Sequence, residues 1–460
     1  MCHRISECLL LILLLSPSIG RAQEPGSSSS GAQEGNNKPV LKLSLEQAVE
    51  IALSPEGSTR VKIAKELIKQ AQAQAAQARA SLLPNIDAYV GQQNQTRNLE
   101  AVGLSFSLPI TGFVFPRLVG PFNVFDARAT ASQSVFDLSS IKRFQASRAG
   151  ISQAEAELEN AQDQTRDLAA RAYLAALRSD AGIEMARANV LLSQALVKLA
   201  SNRKTAGTST GIEVTRAQVQ LANEQQRLLV ASNERERAHL QLLRAINLDL
   251  DAEVELTEHL DFVPMQEVPL AQAIKTALES RADWKAQQRR ETAVHLSQTA
   301  TRLERVPSLS VFADYGSIGS SINNAIPTRT YGFTVRVPVF DGGRRDARGA
   351  EGAAKAHQER LRTDDLRTQI ELDIRLALES LRSSGEQVKT AREGLILAEN
   401  ELAQAQRRFQ AGVGNSIEVT DAQTRLERAR DNEIQALFNY GMSRIDLNTA
   451  MGTIRNITHR

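Results

Sequence analysis

The chain has 460 residues and a nearly balanced charge, with 55 Lys and Arg against 53 Asp and Glu and a formal net charge of +2. This balance gives no general attraction to nucleic acid, so no nucleic-acid partner is expected. Only 13 Phe, 5 Tyr and 1 Trp are present, which argues against the core of a globular α/β enzyme. The abundance of Ala, Gln, Glu, Arg and Leu instead favours long, closely packed helices.

The first 22 residues have the pattern of a secretory signal peptide. His3 and Arg4 precede the unbroken apolar run Leu9–Leu15, and small residues end the segment at Ala22. The run of seven apolar residues is far shorter than the roughly 20 that cross a bilayer as a helix. We therefore predict that the chain is exported and that this segment is removed.

The composition of the predicted mature chain excludes thiol chemistry. Both cysteines, Cys2 and Cys8, lie inside the signal segment. Disulfides, cysteine nucleophiles and thiolate metal sites are therefore not expected. Residues 23–40 are rich in Ser and Gly, which is typical of a flexible linker.

An internal repeat is the most informative feature of the sequence. Ile212–Thr215 recurs as Ile417–Thr420, 205 residues further on, and Val135–Asp137 matches Val339–Asp341 with an offset of 204. The matching segments keep their order along the chain. Each copy is predicted to contain a helix, a pair of strands, a long helix, a turn and a second helix. The predicted copies are residues 41–255 and 256–460.

The helices of each copy are predicted from spacing and from the absence of proline. Ser139–Asn202 contains no proline over 64 residues, which corresponds to a helix of about 96 Å. Thr363–Arg408, which a helix-compatible run from Ala347 precedes, is its counterpart in the second copy. Alanine recurs at the seam positions of the shorter helices and allows helix axes to approach closely. The predicted shorter helices are Ser44–Leu82, Gly211–Ile246, Leu270–Leu303 and Glu418–Ala450.

Four segments interrupt the helical composition and are predicted to be strands. In the last of them, Tyr331, Phe333 and Val335 alternate with polar or small residues, as in a transmembrane β-strand with one apolar face. The strand pairs occupy residues 84–136 and 307–340. The individual predicted strands are Pro84–Gln95, Asp126–Phe136, Pro307–Tyr315 and Thr330–Phe340.

The number of strands bears on the state of assembly. The sequence contains no run of eighteen apolar residues, so a membrane-crossing structure would have to be a closed barrel. Four strands are too few, because about eight is the minimum for a closed transmembrane barrel. Three copies of the chain would supply twelve. The alternative is a pair of soluble hairpins on a secreted coiled-coil scaffold without a pore.

The ordered motifs resemble those of the TolC-like outer-membrane efflux proteins. Val337–Arg344 after the last strand and Phe409–Gly412 before the last helix carry the resemblance, which extends from Leu41 to Gly452. It implies a mainly helical homotrimer with a twelve-stranded barrel in the outer membrane and a long helical barrel in the periplasm. It also implies an exit duct that receives substrates from an inner-membrane pump through a periplasmic adaptor, with outer-membrane lipid around the barrel.

The resemblance also assigns positions along the duct. Asp137 and Asp341 are expected to cap the two long helices at the periplasmic edge of the membrane. The connections 97–125 and 316–329 are then external loops. Within the first of these, residues 101–125 are unusually apolar for an exposed loop, and the sequence does not decide what covers them.

Two turns are expected at the far periplasmic tip. Gly207 and Gly412 permit the tight reversals between antiparallel helices. Basic residues beside the turns are candidate adaptor contacts, although the glycines alone are also explained by turn geometry. These basic residues are Arg203, Lys204, Arg407 and Arg408.

An acidic gate is expected just beyond the second turn. Glu418 and Asp421 are three residues apart on a predicted helix and share a face. Six such carboxylates in a trimer would favour cations in a narrowing tunnel, and the position matches the acidic constriction of the family. The first copy contains Glu213 but has Arg216 in place of the second acid. The alternative is an ordinary solvated helix face.

Nothing in the sequence indicates catalysis. The six histidines show no metal-ligand spacing, and the common nucleophile, dinucleotide, phosphate-binding and zinc motifs are missing. We therefore predict no enzyme activity, cofactor or resident metal. The transported substrate and the type of pump remain open, because a duct needs no specific pocket.

Overall fold

The computed structural model describes residues 40–101, 103, 116–265 and 268–456. The predicted signal peptide and all of the linker but residue 40 lie outside the described residues, as do residue 102 and residues 104–115 of the apolar loop. The described α-helices are α1 (Leu45–Leu53), α2 (Thr59–Ala80), α3 (Leu138–Thr205), α4 (Gly211–Ala245), α5 (Leu270–Ser280), α6 (Ala282–Leu303), α7 (Arg344–Gln410) and α8 (Ser416–Ala450). The described strands are β1 (Leu41–Leu43), β2 (Asn85–Asn98), β3 (Leu118–Phe136), β4 (Val254–Leu256), β5 (Ser308–Gly319) and β6 (Ile326–Arg336).

Two very long helices dominate the fold. Helix α3 has 68 residues and α7 has 67, so each is about 100 Å long. Helix α3 contacts α2, α4, α6 and α8, while α7 contacts α5, α6 and α8. Many of the buried positions are alanines, which allows this close packing. Within the described residues, no helix combines the length and the hydropathy of a bilayer span.

Two predicted helices are each broken in two. The chain leaves the helical conformation at Ser54 (ψ 161°), because the following Pro55 disfavours it. Arg281 is also extended (ψ 123°), although no proline is nearby. Its guanidinium is hydrogen-bonded to Asp283 and to Asp373 of α7, so tertiary contacts accompany this second break.

The four long strands form one antiparallel sheet in the order β2-β3-β5-β6. The strands are longer at their loop ends than predicted, so the first connection shortens to residues 99–117 and the second to 320–325. The last strand ends at Arg336 rather than Phe340, because Pro338 has no N–H group for a ladder.

One face of β6 carries exposed aromatic side chains. Tyr331 and Phe333 are 80% and 73% exposed, and Val335 on the same face is also exposed. Such a large apolar surface is unusual on a soluble monomer. It therefore indicates a surface that contacts an apolar environment.

A small parallel sheet lies far from these strands in sequence. Strand β1 pairs with β4, and Leu43 stands opposite Leu256. The buried Tyr173 hydroxyl of α3 donates a hydrogen bond of 3.0 Å to the Leu43 carbonyl. Leu43, Leu242 and Tyr173 belong to one buried apolar cluster, which joins this sheet to α3 and α4.

The two predicted helix caps differ in geometry. Asp137 occupies the N-cap of α3, and its carboxylate accepts hydrogen bonds from the Ser140 backbone N–H (3.1 Å) and hydroxyl (2.6 Å). The N-cap of α7 is Gly343 rather than Asp341, because the chain turns there with a left-handed φ of 85°. The Asp341 carboxylate instead accepts from the backbone N–H of Arg345 at 3.1 Å. Asp341 therefore accepts a backbone hydrogen bond from the first turn of α7, although it does not occupy the N-cap position.

Candidate channel gate at the helical turns

Two glycine turns join the antiparallel helices. Gly207 follows α3 and Gly412 follows α7, with φ angles of +74° and +78°. An added Cβ would meet no atom within 4 Å at either position. The left-handed backbone, rather than lack of space, therefore explains the glycine at each turn.

Arg203 connects these two turns. Its Nη1 donates to the Phe409 carbonyl at 2.6 Å, and its guanidinium lies 4.3 Å from the centre of the Phe409 ring. A longer hydrogen bond of 3.4 Å reaches the Thr208 carbonyl. Arg203 is thus partly buried in contacts within the chain, whereas an exposed adaptor contact was predicted.

Two of the other three predicted basic residues and their apolar neighbours form an exposed surface, whereas Arg408 is paired with Glu418. Lys204 and Arg407 are exposed, and neither side chain has a partner among the described residues. Ile212 and Val413 beside them are 65% and 70% exposed. We call these four residues the tip surface. It combines positive charge with apolar side chains, a composition suited to protein contact.

The three predicted gate acids have different surroundings. Glu418 lies in the first turn of α8, and its Oε2 is 3.3 Å from the Arg408 Nε. Glu213 accepts a hydrogen bond of 2.5 Å from the Ser209 hydroxyl. Asp421 is exposed and has no partner among the described residues. The three carboxylates therefore do not form one equivalent set within the protomer.

Polar side chains link α4 to α8 beside the acids. The Arg216 Nη1 donates to the Ser416 hydroxyl at 3.0 Å. Further along α4, Arg227 forms ion pairs with Glu224 of its own helix and with Glu427 of α8. The turn-proximal halves of the two helices are thus held together by polar contacts, with Arg216 in a role that the sequence did not predict.

Glu224 is a buried carboxylate that sequence reasoning missed. It is only 1% exposed and accepts a hydrogen bond of 2.6 Å from Gln220. The position falls between Leu221 and Leu228 in the heptad seam of α4, where an apolar residue would be regular. A charged residue at this apolar position of the heptad was the sequence feature from which a buried carboxylate could have been predicted.

The described residues contain no group of three or more His, Cys, Asp or Glu side chains placed to hold a metal ion. What the turns assemble instead is a set of fixed charges at the ends of long helices. Such charges can select among ions or contact a protein.

Comparison with known proteins identifies the family. A family model described as outer membrane efflux protein matches residues 56–248 and 273–453. The chain belongs to this family, which confirms the resemblance found in the sequence. The predicted location of the protein in the outer membrane is confirmed as well.

A curated relative is the pyoverdine export outer membrane protein OpmQ of Pseudomonas putida. It is 25% identical over 286 residues, which cover 61% of this chain and 60% of OpmQ. The match therefore spans less than two thirds of that relative.

Solved structures share the fold. The outer membrane protein VceC of Vibrio cholerae has a TM-score of 0.75 at 19% identity, covering 89% of this chain and 96% of VceC. The CmeC outer membrane channel of Campylobacter jejuni has a TM-score of 0.77 at 17% identity, covering 95% and 94%. The fold is thus that of outer-membrane channels along nearly the whole chain.

Proposed function

We propose that the chain is the exit duct of a tripartite efflux or type I secretion system, through which substrates pass from a pump to the exterior. The observation that carries the proposal is the combination of helices about 100 Å long with a four-stranded sheet whose apolar face is exposed. Family membership supports the duct over a secreted coiled-coil scaffold, which would have no use for such a sheet.

The proposed assembly is a homotrimer with a twelve-stranded barrel. Within the described chain, β2 and β6 are the outer strands of an open four-stranded sheet. Unpaired strand edges attract further strands, and in lipid every backbone polar group needs a partner. Three copies joined edge to edge would satisfy both requirements and reach the strand number of a small barrel.

The proposed partners are a periplasmic adaptor and, through it, an inner-membrane pump. The tip surface is the proposed adaptor contact, because its exposed apolar and basic side chains lie at the turns between long helices. Among the predicted contact residues, we retain Lys204 and Arg407 as direct contacts. Arg203 would act indirectly, by fixing the turns. Pyoverdine, for which the relative OpmQ is named, is the first substrate to test.

The adaptor contact can be tested by cross-linking. Because the predicted mature chain has no cysteine, V413C would supply a single thiol on the tip surface. We expect a bifunctional reagent to join it to a periplasmic adaptor identified by mass spectrometry. The matched control V263C places a thiol on an exposed valine far from the turns and should give no such product. Equal cross-linking of both variants would contradict the assignment.

The proposed gate consists of Glu418, Asp421 and Glu213 near the turns. Fixed carboxylates around a narrow passage favour cations. In planar bilayers, the double variant E418A/D421A should therefore raise the open-state conductance or lower the cation preference. Unchanged current and selectivity would contradict the gate. Absence of any current from the wild-type protein would contradict the duct itself.

A further inference from the structure

The proposed gate contains an ion pair that the sequence did not reveal. Arg408 lies in the last turn of α7 and Glu418 in the first turn of α8, with 3.3 Å between the Arg408 Nε and the Glu418 Oε2. We infer that Arg408 neutralises Glu418 within each protomer, so that Asp421 alone sets the charge selectivity of the gate. This inference rests on the proposed gate and specifies which of its residues carry uncompensated charge.

The turn between the helices is built to allow this pair. Gly414 lies so close to both side chains that an added Cβ would be 3.1 Å from the Arg408 Cβ and 3.2 Å from the Glu418 Oε2. The Gly414 N–H also donates to the Arg408 carbonyl at 3.1 Å. A residue without a side chain therefore holds the backbone where the two charged groups meet.

Each member of the pair is also favoured by its own helix. Asn415 caps α8 by accepting from the Glu418 backbone N–H at 2.9 Å, which places the Glu418 carboxylate at the positive end of the helix dipole. Arg408 is at the negative end of α7. Both positions are favourable for the sign of charge found there, which supports the ion pair between the two side chains.

The distances decide how these charges act on a passing ion. Opposite charges in contact form a dipole, whose field is small beyond the screening length of about 8 Å in physiological salt. Asp421 is exposed and has no described partner, so it acts as a full negative charge. Glu213 and Arg216, three residues apart on α4, line the same small cavity beside Ser416, so the net formal charge that they contribute there is zero.

The resulting gate differs from the one that the sequence suggests. Six carboxylates from Glu418 and Asp421 would be expected in a trimer. With Glu418 neutralised by Arg408, one uncompensated carboxylate per protomer remains. Arg408 thereby becomes a residue that determines selectivity, although its own charge is opposite to that of the ring.

Ion permeability of the reconstituted wild-type and variant proteins tests this arrangement. The ratio of potassium to chloride permeability, from reversal potentials in a KCl gradient, should fall in D421N, and R408Q should raise it about twofold or more by freeing Glu418. E418Q should lower the ratio by leaving Arg408 unpaired. The double variant R408Q/E418Q removes both charges and should match the wild type.

R407Q is the matched control. It removes a positive charge from the residue next to Arg408, and the Arg407 side chain has no described partner. A ratio in R408Q that equals that in R407Q would overturn the inference. So would a double variant as weakly selective as D421N, or a D421N variant as selective as the wild type. Each of these results can be obtained only if the channel conducts ions. They can therefore be distinguished from a failure of the proposed duct, which would give no current.

A second measurement needs no current. Carbodiimide labelling of the detergent-purified protein, read by mass spectrometry, should modify Asp421 faster than Glu418, because the Glu418 carboxylate is paired with Arg408. R408Q should raise the labelling of Glu418 several-fold, while R407Q should not. Equal labelling of the two acids in the wild-type protein would overturn the pairing whether or not the protein conducts ions.

Discussion

At the scale of single residues, Asp137 determines how α3 begins. Its two carboxylate oxygens bind the backbone and the hydroxyl of Ser140. Loss of such a cap costs about 1 kcal/mol, or about a fivefold change in local opening. We expect D137A to speed hydrogen exchange of the amides of residues 138–141 by about that factor. D137N keeps an acceptor and should remain near the wild type, and equal exchange in D137A would contradict the capping role.

Asp180 ties α3 to α4 and gives this contact a pH dependence. Burial acts to raise the pKa of Asp180, but hydrogen bonds from His239 (2.9 Å) and Arg235 (2.6 Å) outweigh it and hold the pKa below its ordinary value of 3.8. A carboxylate with a lowered pKa stabilises the fold above its ordinary pKa. That contribution is lost as the pH falls through the lowered value.

The expected result follows from this sign. D180N should be less stable than the wild type at pH 7, and the difference should shrink when the pH is taken below 3.8. Denaturant midpoints at neutral and acid pH measure it. D431N, which removes an exposed carboxylate without a described partner, is the control and should follow the wild type. A constant difference between D180N and the wild type at all pH values would contradict the prediction.

At the scale of helices and turns, Arg203 holds the two reversals together. It joins the end of α3 to the Phe409 carbonyl at the end of α7. R203A should therefore increase hydrogen exchange in residues 405–416 without changing exchange in α1 or β1. K204A removes the neighbouring exposed charge and should leave this exchange unchanged. Similar effects of both variants would indicate that Arg203 acts only through its charge.

The long helices could be predicted because their signal is local. Composition and the absence of proline indicated both helices, and the two ends of α3 and the C-terminal end of α7 lie within a few residues of the prediction. Helix α7 begins at Arg344 rather than at Thr363, near the start of the helix-compatible run at Ala347. Pro55 was an available signal for the break after α1. The break at Arg281 had none, because it accompanies a contact with Asp373, which is 92 residues away.

The four long strands were predictable in number but not in extent, and the short strands β1 and β4 were not predicted. Alternation identified β6, whose apolar face is exposed. Strand β3 begins at Leu118, eight residues before the predicted start at Asp126. The predicted strand is shorter because Gly120 and Pro121 are typical of a turn. Tertiary pairing with Asn98 and its neighbours in β2 extends the strand through them.

The candidate site was predictable in position and only partly in its contacts. Duplication of the turns pointed to Gly207, Gly412 and the acids. The pairing of Arg408 with Glu418 depends on the backbone path through Gly414, and this path is not a sequence pattern. The inward role of Arg203 was missed for the same reason, since it depends on how two distant turns approach each other.

At the scale of the whole molecule, the central claim is that this chain forms a duct only together with further copies of itself. The open edges of β2 and β6 and the exposed aromatic row of β6 are unfavourable in an isolated protomer. Both become favourable in a closed barrel in lipid. The long helices would then continue from the barrel as a tube.

Cryo-electron microscopy of the mature protein, purified from membranes and placed in lipid nanodiscs, tests this claim most directly. We predict threefold particles with a twelve-stranded barrel in the disc and a hollow helical tube of about 100 Å beyond it, as the helical rise requires. Protomers that dissolve in buffer without detergent, or solid rods without a central passage, would contradict the duct and support a coiled-coil scaffold.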